Sequence, residues 1–211
     1  MMQTLKLYGV PVSGHCHRVE LLLRMLDLPY EYRAAPETVR SSEAFLRLNP
    51  FGQIPVLLDG DQVLTDSNAI LVYLVKRYAP ASHWLPEEPY AAAQVQVWLS
   101  KAAGEVRYGP ASCRMVKQFS VAENYQSAVA ISERFLPQLE QHLSQNQFLA
   151  TDRPTIADLA CYSYVAVAPE GGISLKPYPA IQRWALEIAE LPGFFPMPAL
   201  PLPESAEELI K

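Results

Sequence analysis

Asn49-Pro50-Phe51-Gly52-Gln53-Ile54-Pro55-Val56-Leu57 is the most specific stretch of this chain. A proline between Ile54 and Val56, at the start of an apolar run, cannot donate a ladder hydrogen bond. In the cis form the Ile54–Pro55 peptide turns the Ile54 amide and carbonyl out of the sheet, free to pair with another extended backbone. In the trans form it is an ordinary strand-entry proline, and the residues alone leave both forms open. Upstream, Asn49-Pro50 stops a short helix predicted over Ser41–Leu48, because the residue before a proline avoids the helical region. Downstream, strands at Ile54–Leu58 and Gln62–Leu64 flank Asp59-Gly60-Asp61, a hairpin signal. Farther out, Leu5 and Leu7 alternate with polar neighbours in a strand over Thr4–Tyr8. Val19, Leu22, Leu23 and Leu26 recur at helical spacing, and Tyr30–Ala34 reads as a second strand. A last helix spans about Ser67 to Tyr78, with Ile70, Leu71 and Leu74 inward. The order β-α-β-α-β-β-α predicts a small α/β domain over residues 1–80.

Pro80, Pro86 and Pro89, with Glu87-Glu88 between them, mark a linker, placed at 81–87. Beyond it no strand pattern persists. Helices are predicted at Ala91–Arg107, about Ala122–Leu143, Ile156–Val167 and Pro179–Leu191, so residues 88–211 should form an all-α domain. Pro137 should kink or break the second of these. The tail, with prolines at 192, 196, 198, 201 and 203, cannot be regular helix before about Glu204.

The chain has 211 residues, 17 basic and 22 acidic, for a net charge of −5. Residues 1–80 carry 8 basic and 8 acidic side chains, so all the net acidity lies in the second part. No clustered basic face is present, which argues against nucleic acid as a partner. No run approaches the roughly 18 apolar residues that cross a bilayer, and no secretory pattern opens the chain. Cys16, Cys113 and Cys161 are few and widely spaced, so a reducing, cytoplasmic setting is expected. His15-Cys16-His17 has no ligating partner nearby, and positions two apart on a helix do not share a face, so no metal is expected.

Asp66-Ser67-Asn68-Ala69-Ile70 is the second candidate. Asp or Ser ahead of an apolar helix is an N-cap. The same place offers amides and a positive dipole end to a carboxylate, while Asp66 can pair with an ammonium. Together they would grip an α-amino acid end.

These pieces, in this order, resemble a cytosolic glutathione transferase. The likeness extends through Thr155-Ile156-Ala157-Asp158-Leu159, with Asp158 where the family's capping box usually has Glu or Gln, and through Tyr178-Pro179-Ala180 to Trp184. The resemblance implies a thioredoxin-like glutathione-binding domain followed by an all-helical substrate domain, and a homodimer with Phe51 inserting into the partner. It implies glutathione as co-substrate and a small apolar electrophile as second substrate. Ile54 would pair with the cysteinyl backbone beside cis Pro55. Gln53, Asp66 and Ser67 would hold the γ-glutamyl end, and Arg40, with Ser41 near it, the glycyl carboxylate. Five residues before Arg18 stands Ser13, the position of the activating serine in phi- and zeta-like classes. Tyr8, the tyrosine-class alternative, lies within the strand. Cys16, one turn into the helix, would be reactive if exposed there. Val12, His15, Arg107, Tyr108 and Arg114 are candidates for the second-substrate pocket. Glutathione-dependent isomerisation, disulfide or peroxide reduction, and a non-catalytic binding module of the same fold remain alternatives.

Overall fold

In the computed structural model, which describes residues 4–203, strand β1 (Leu5–Gly9) runs down the middle of a four-stranded sheet. It pairs in parallel with β2 (Tyr30–Ala34) and antiparallel with β3 (Val56–Asp59), which turns through Gly60-Asp61 into β4 (Gln62–Thr65). Gly60 sits at φ 59°, a left-handed value that glycine adopts at no steric cost. A parallel pair needs a crossover, supplied by α1 (Gly14–Met25), which lays Val19, Leu22 and Leu23 on the sheet. Helix α4 (Ser67–Tyr78) adds Ile70, Leu71 and Leu74 to the same core.

Two local details differ from the sequence reading. The helix predicted at Ser41–Leu48 is α3 (Glu43–Leu48), and a separate single turn that the sequence reading did not predict, α2 (Glu37–Arg40), precedes it. Ser42 separates them by capping α3 through its hydroxyl, which accepts the Phe45 amide at 3.3 Å. Strand β3 also begins at Val56 rather than Ile54, because Pro55, which follows a cis peptide bond, has no N–H to give the ladder.

The described part of Met1–Leu85 forms one compact unit together with Leu191–Pro198. That late segment lies on α1. The buried His17 ring donates from Nε2 to the Phe195 carbonyl at 2.9 Å and meets its ring edge-on, while the Arg24 guanidinium stacks 3.9 Å from the Phe195 ring centre. Gly193, at φ 84°, comes so near the Arg24 backbone that a Cβ there would stand 2.9 Å from it.

The second unit, Pro86–Glu190 with the described residues from Ala199, is all helical. Glu88 caps α5 (Pro89–Lys101), accepting the amides of Tyr90 at 3.0 Å and Ala91 at 2.7 Å. Helical structure does not stop near Arg107. It continues through a π-helical segment, Ala102–Ala111, into α6 (Ser112–Phe119). Pro110 lies in this wider turn, where the regular i→i−4 ladder is already interrupted. Helix α7 (Tyr125–Gln145) runs unbroken past Pro137. An interior proline costs about 3 kcal/mol. The buried stripe of Phe135, Leu136, Leu139 and Leu143 offsets this at about 1.5–3 kcal/mol per large side chain. Helices α8 (Ile156–Val165) and α9 (Pro179–Ala189) complete the unit, and the Glu140 carboxylate of α7 accepts the Ala180 and Ile181 amides at the start of α9. Residues 192–203 have no regular secondary structure, as the prolines predict, and the stretch from Glu204, where regular helix first becomes possible, lies outside the described residues. Among the described residues, no helix is long and apolar enough to cross a membrane.

Candidate functional site

Strand register decides which segments meet. Tyr8 stands opposite Val56, Val56 opposite Thr65, and Gly9 opposite Ala34. The residues that follow Gly9, precede Val56 and follow Thr65 therefore all emerge at one end of the sheet. Those residues are Ser13, then Gln53, Ile54 and Pro55, then Asp66 and Ser67.

Ser13 is the N-cap of α1, half-buried, with its Oγ accepting the Cys16 amide at 3.4 Å. Close packing fixes this corner: a Cβ on Gly9 would stand 2.8 Å from Cys16 Sγ and 3.0 Å from the Tyr32 hydroxyl. Cys16 is 1% exposed. Burial pushes its thiol pKa up, against a smaller opposing pull from the Ser13 hydroxyl. The exposed helix-start thiol that would favour thiolate chemistry is therefore absent at Cys16. Tyr8 lies in β1 with its ring edge-on to Phe45 at 5.9 Å.

The loop ahead of β3 is held by Asn49, a buried side chain that sequence reading used only as a helix stop. Its amide donates to the Gln53 carbonyl at 2.8 Å and its Oδ1 accepts the Phe51 amide at 3.2 Å. Gln53 is exposed and Ile54 half-buried. Arg40, at the end of α2, is half-buried, and its Nε is a buried donor without a partner among the described residues.

Asp66 caps α4 from an unusual backbone, φ 70° and ψ 121°, a region that costs a non-glycine residue about 1–3 kcal/mol. Its Oδ1 accepts both the Asn68 and Ala69 amides at 2.9 Å, and the residue is exposed. Ser67, next in sequence, is buried. Its hydroxyl meets His15 Nδ1 at 3.2 Å and accepts from Arg18 at 3.4 Å, while the same Arg18 nitrogen donates to Asn68 Oδ1 at 3.0 Å. Arg18 and Asn68 were not singled out by sequence reading. The one available signal was a charged residue amid the apolar stripe of α1.

Of the expected second-substrate residues, Val12 is half-buried and His15 is engaged with Ser67. In the helical unit, Arg107 pairs with Glu123 at 2.8 Å and donates to Ser112 at 2.9 Å. Tyr108 beside it is exposed. Arg114 departs from its expected role: it is 1% exposed, in an ion pair with Glu170 at 2.5 Å. No group of metal-ligating side chains occurs among the described residues.

A family model for the glutathione S-transferase N-terminal domain matches residues 7–82, and one for the C-terminal domain matches residues 106–192. Glutathione S-transferase 3 of Zea mays is 33% identical over an alignment covering 96% of this chain and 97% of that protein. A solved glutathione S-transferase from Pseudomonas fluorescens superposes with a TM-score of 0.85 at 34% identity, covering 92% of this chain and 99% of the other. A glutathione transferase homologue from Drosophila mojavensis, solved with bound glutathione, superposes at 0.82 with 26% identity, covering 91% of this chain and 90% of the other.

Proposed function

Because the chain belongs to the glutathione S-transferase family, we propose that it joins the glutathione thiolate to an electrophilic carbon of a small apolar second substrate. The observation that carries this reading is the strand register, which brings the starts of α1 and α4 and the cis Ile54–Pro55 peptide to one end of the sheet. Ile54 pairs its backbone with the cysteinyl residue of glutathione. Gln53, Asp66 and Ser67 hold the γ-glutamyl end, with Asp66 on the ammonium and Ser67, at the positive start of α4, on the carboxylate. Arg40, beside Ser41, takes the glycyl carboxylate.

Ser13 supplies the activation. A cysteine-type thiol has a pKa of about 8.5, and lowering it by two units needs about 2.7 kcal/mol. One hydroxyl donor to an anionic sulfur contributes about 1.5–3 kcal/mol. The start of α1 adds about 0.3–1 kcal/mol. A single hydrogen bond from Ser13 is therefore sufficient, and Ser13 need not be a nucleophile. The sulfur lone pair forms the new S–C bond, and the displaced group leaves with its electron pair. Tyr108, exposed on the helical unit, is the proposed contact of the second substrate.

Isomerisation and reduction of disulfides or peroxides are the alternative chemistries. Burial of Cys16 weighs against a reductase that uses this thiol. Turnover of glutathione with an activated aryl halide, beside hydroxyethyl disulfide and an organic peroxide, separates the readings. Conjugation that falls at least about tenfold in Ser13→Ala and resists iodoacetamide supports the transferase assignment. Disulfide reduction as the dominant activity, abolished by alkylating Cys16, contradicts it. We further propose a cytoplasmic homodimer that disposes of electrophiles. Phe51, 82% exposed, is its anchoring side chain, so Phe51→Ala should sediment as a monomer, and an unchanged dimer rejects that role.

A further inference from the structure

Ser67 Oγ has one hydrogen to give and two lone pairs to receive. Arg18 can only donate, so its 3.4 Å contact occupies one lone pair. His15 Nδ1, at 3.2 Å, faces the same oxygen and has two options. Without a proton, Nδ1 takes the Ser67 hydrogen, and the hydroxyl has nothing left to donate. With a proton, Nδ1 fills the second lone pair and the Ser67 hydrogen must point elsewhere. The imidazole thus decides whether Ser67 is a donor toward the start of α4 or a spent one.

We propose that His15 is a positioning residue for glutathione: its Nδ1–H donates to Ser67 Oγ and, with Arg18, turns the Ser67 hydroxyl hydrogen onto the γ-glutamyl carboxylate. This rests on the reading of Ser67 as a carboxylate contact given above. A carboxylate at that point can only accept, so bound glutathione selects the Nδ1–H form of His15. The histidine acts on binding and leaves the sulfur chemistry to Ser13. Its place is the second residue of α1, 52 positions from the serine it orients.

A double-mutant cycle on the glutathione dissociation constant, measured by calorimetry on the full chain, tests the proposal. Ser67→Ala should weaken binding about tenfold, and His15→Ala about three- to tenfold, as expected for losing or misdirecting a hydrogen bond to a charged group. His15→Asn, whose amide N–H can take the place of Nδ1–H, should recover binding to within about twofold of wild type. In Ser67→Ala, adding His15→Ala should change binding by less than about twofold. The KM for glutathione should rise in His15→Ala, while kcat at saturating glutathione stays within about twofold of wild type. Additive effects of the two substitutions, or a binding loss in His15→Asn equal to that in His15→Ala, overturn the proposal. Unchanged binding in Ser67→Ala overturns the reading of Ser67 itself and this inference with it. Thermal unfolding of each variant separates these outcomes from a general loss of structure.

Discussion

Asp66 at the start of α4 and Asp158 in the first turn of α8 both accept backbone amides at a helix N-terminus, but from opposite surroundings. Asp158 is wholly buried. Its two oxygens accept the Leu149 and Thr155 amides, the Thr155 hydroxyl and the Trp184 indole N–H, at 2.8–3.0 Å. Burial pushes its carboxyl pKa above the ordinary value while these donors pull the other way. Asp66 is exposed, uses one oxygen for two amides, and sits on a strained backbone. The first cap is saturated and ties a loop, a helix start and a tryptophan together. The second leaves a carboxylate oxygen outside its capping bonds, and the positive end of α4 beside solvent. A cap becomes a binding group when the fold leaves it unsaturated and reachable.

The largest expected effect lies at the saturated cap. Asp158→Ala should lower stability by about 3 kcal/mol or more, because several buried donors lose their acceptor at once. Denaturant unfolding measures this, and glutathione affinity of the remaining folded protein should be unchanged. Asp66→Ala should cost only about 1 kcal/mol, the ordinary worth of a cap, yet weaken glutathione binding at least about tenfold. Asp66→Gly, which relaxes the positive φ, should lose the same affinity at a smaller cost in stability. A stability loss at Asp66 as large as that at Asp158 would break the comparison.

A smaller effect concerns the start of the first unit, where His17 lies buried between α1 and Phe195. Burial lowers its pKa, with Glu20 pulling up and Arg18 and Arg24 pushing down. The unfolded chain therefore takes up a proton near pH 6.5 while the folded chain does not. This contribution to stability is complete above that pH and is lost as pH falls toward the depressed folded value. Melting temperature should drop by a few degrees between about pH 7 and about pH 5.5. His17→Gln should flatten that slope, and an unaltered slope would assign the pH dependence elsewhere.

Much of the first unit was legible because its signals are local. β2 and α4 begin and end as predicted, at Tyr30–Ala34 and Ser67–Tyr78, where alternation, periodicity and a capping Asp fall together. The second unit was less so. The first helix was expected to end at Arg107 and Pro137 to kink or break the second, but a π-helical turn carries the chain past Pro110 and a long buried stripe carries it past Pro137, and neither device has a short sequence pattern. The candidate site divides in the same way. Ser13, Pro55 and Asp66 stand in local motifs, whereas the His15–Ser67 contact spans 52 residues and the Arg114–Glu170 pair spans 56. Pairings of that range follow from how α1 packs near the start of α4, or α6 near the turn before Gly172, and no spacing along the chain announces them.

In the proposed reaction one serine hydroxyl at the start of α1 holds glutathione as a thiolate. Ultraviolet thiolate absorbance of bound glutathione, titrated over pH in wild type and Ser13→Ala, tests it most directly. In wild type the thiolate should appear about two units below the free thiol, and in the variant it should return most of the way to about 8.5, with binding retained. Glutathione that binds wild type and stays protonated, or a thiolate that persists unshifted in Ser13→Ala, would contradict it.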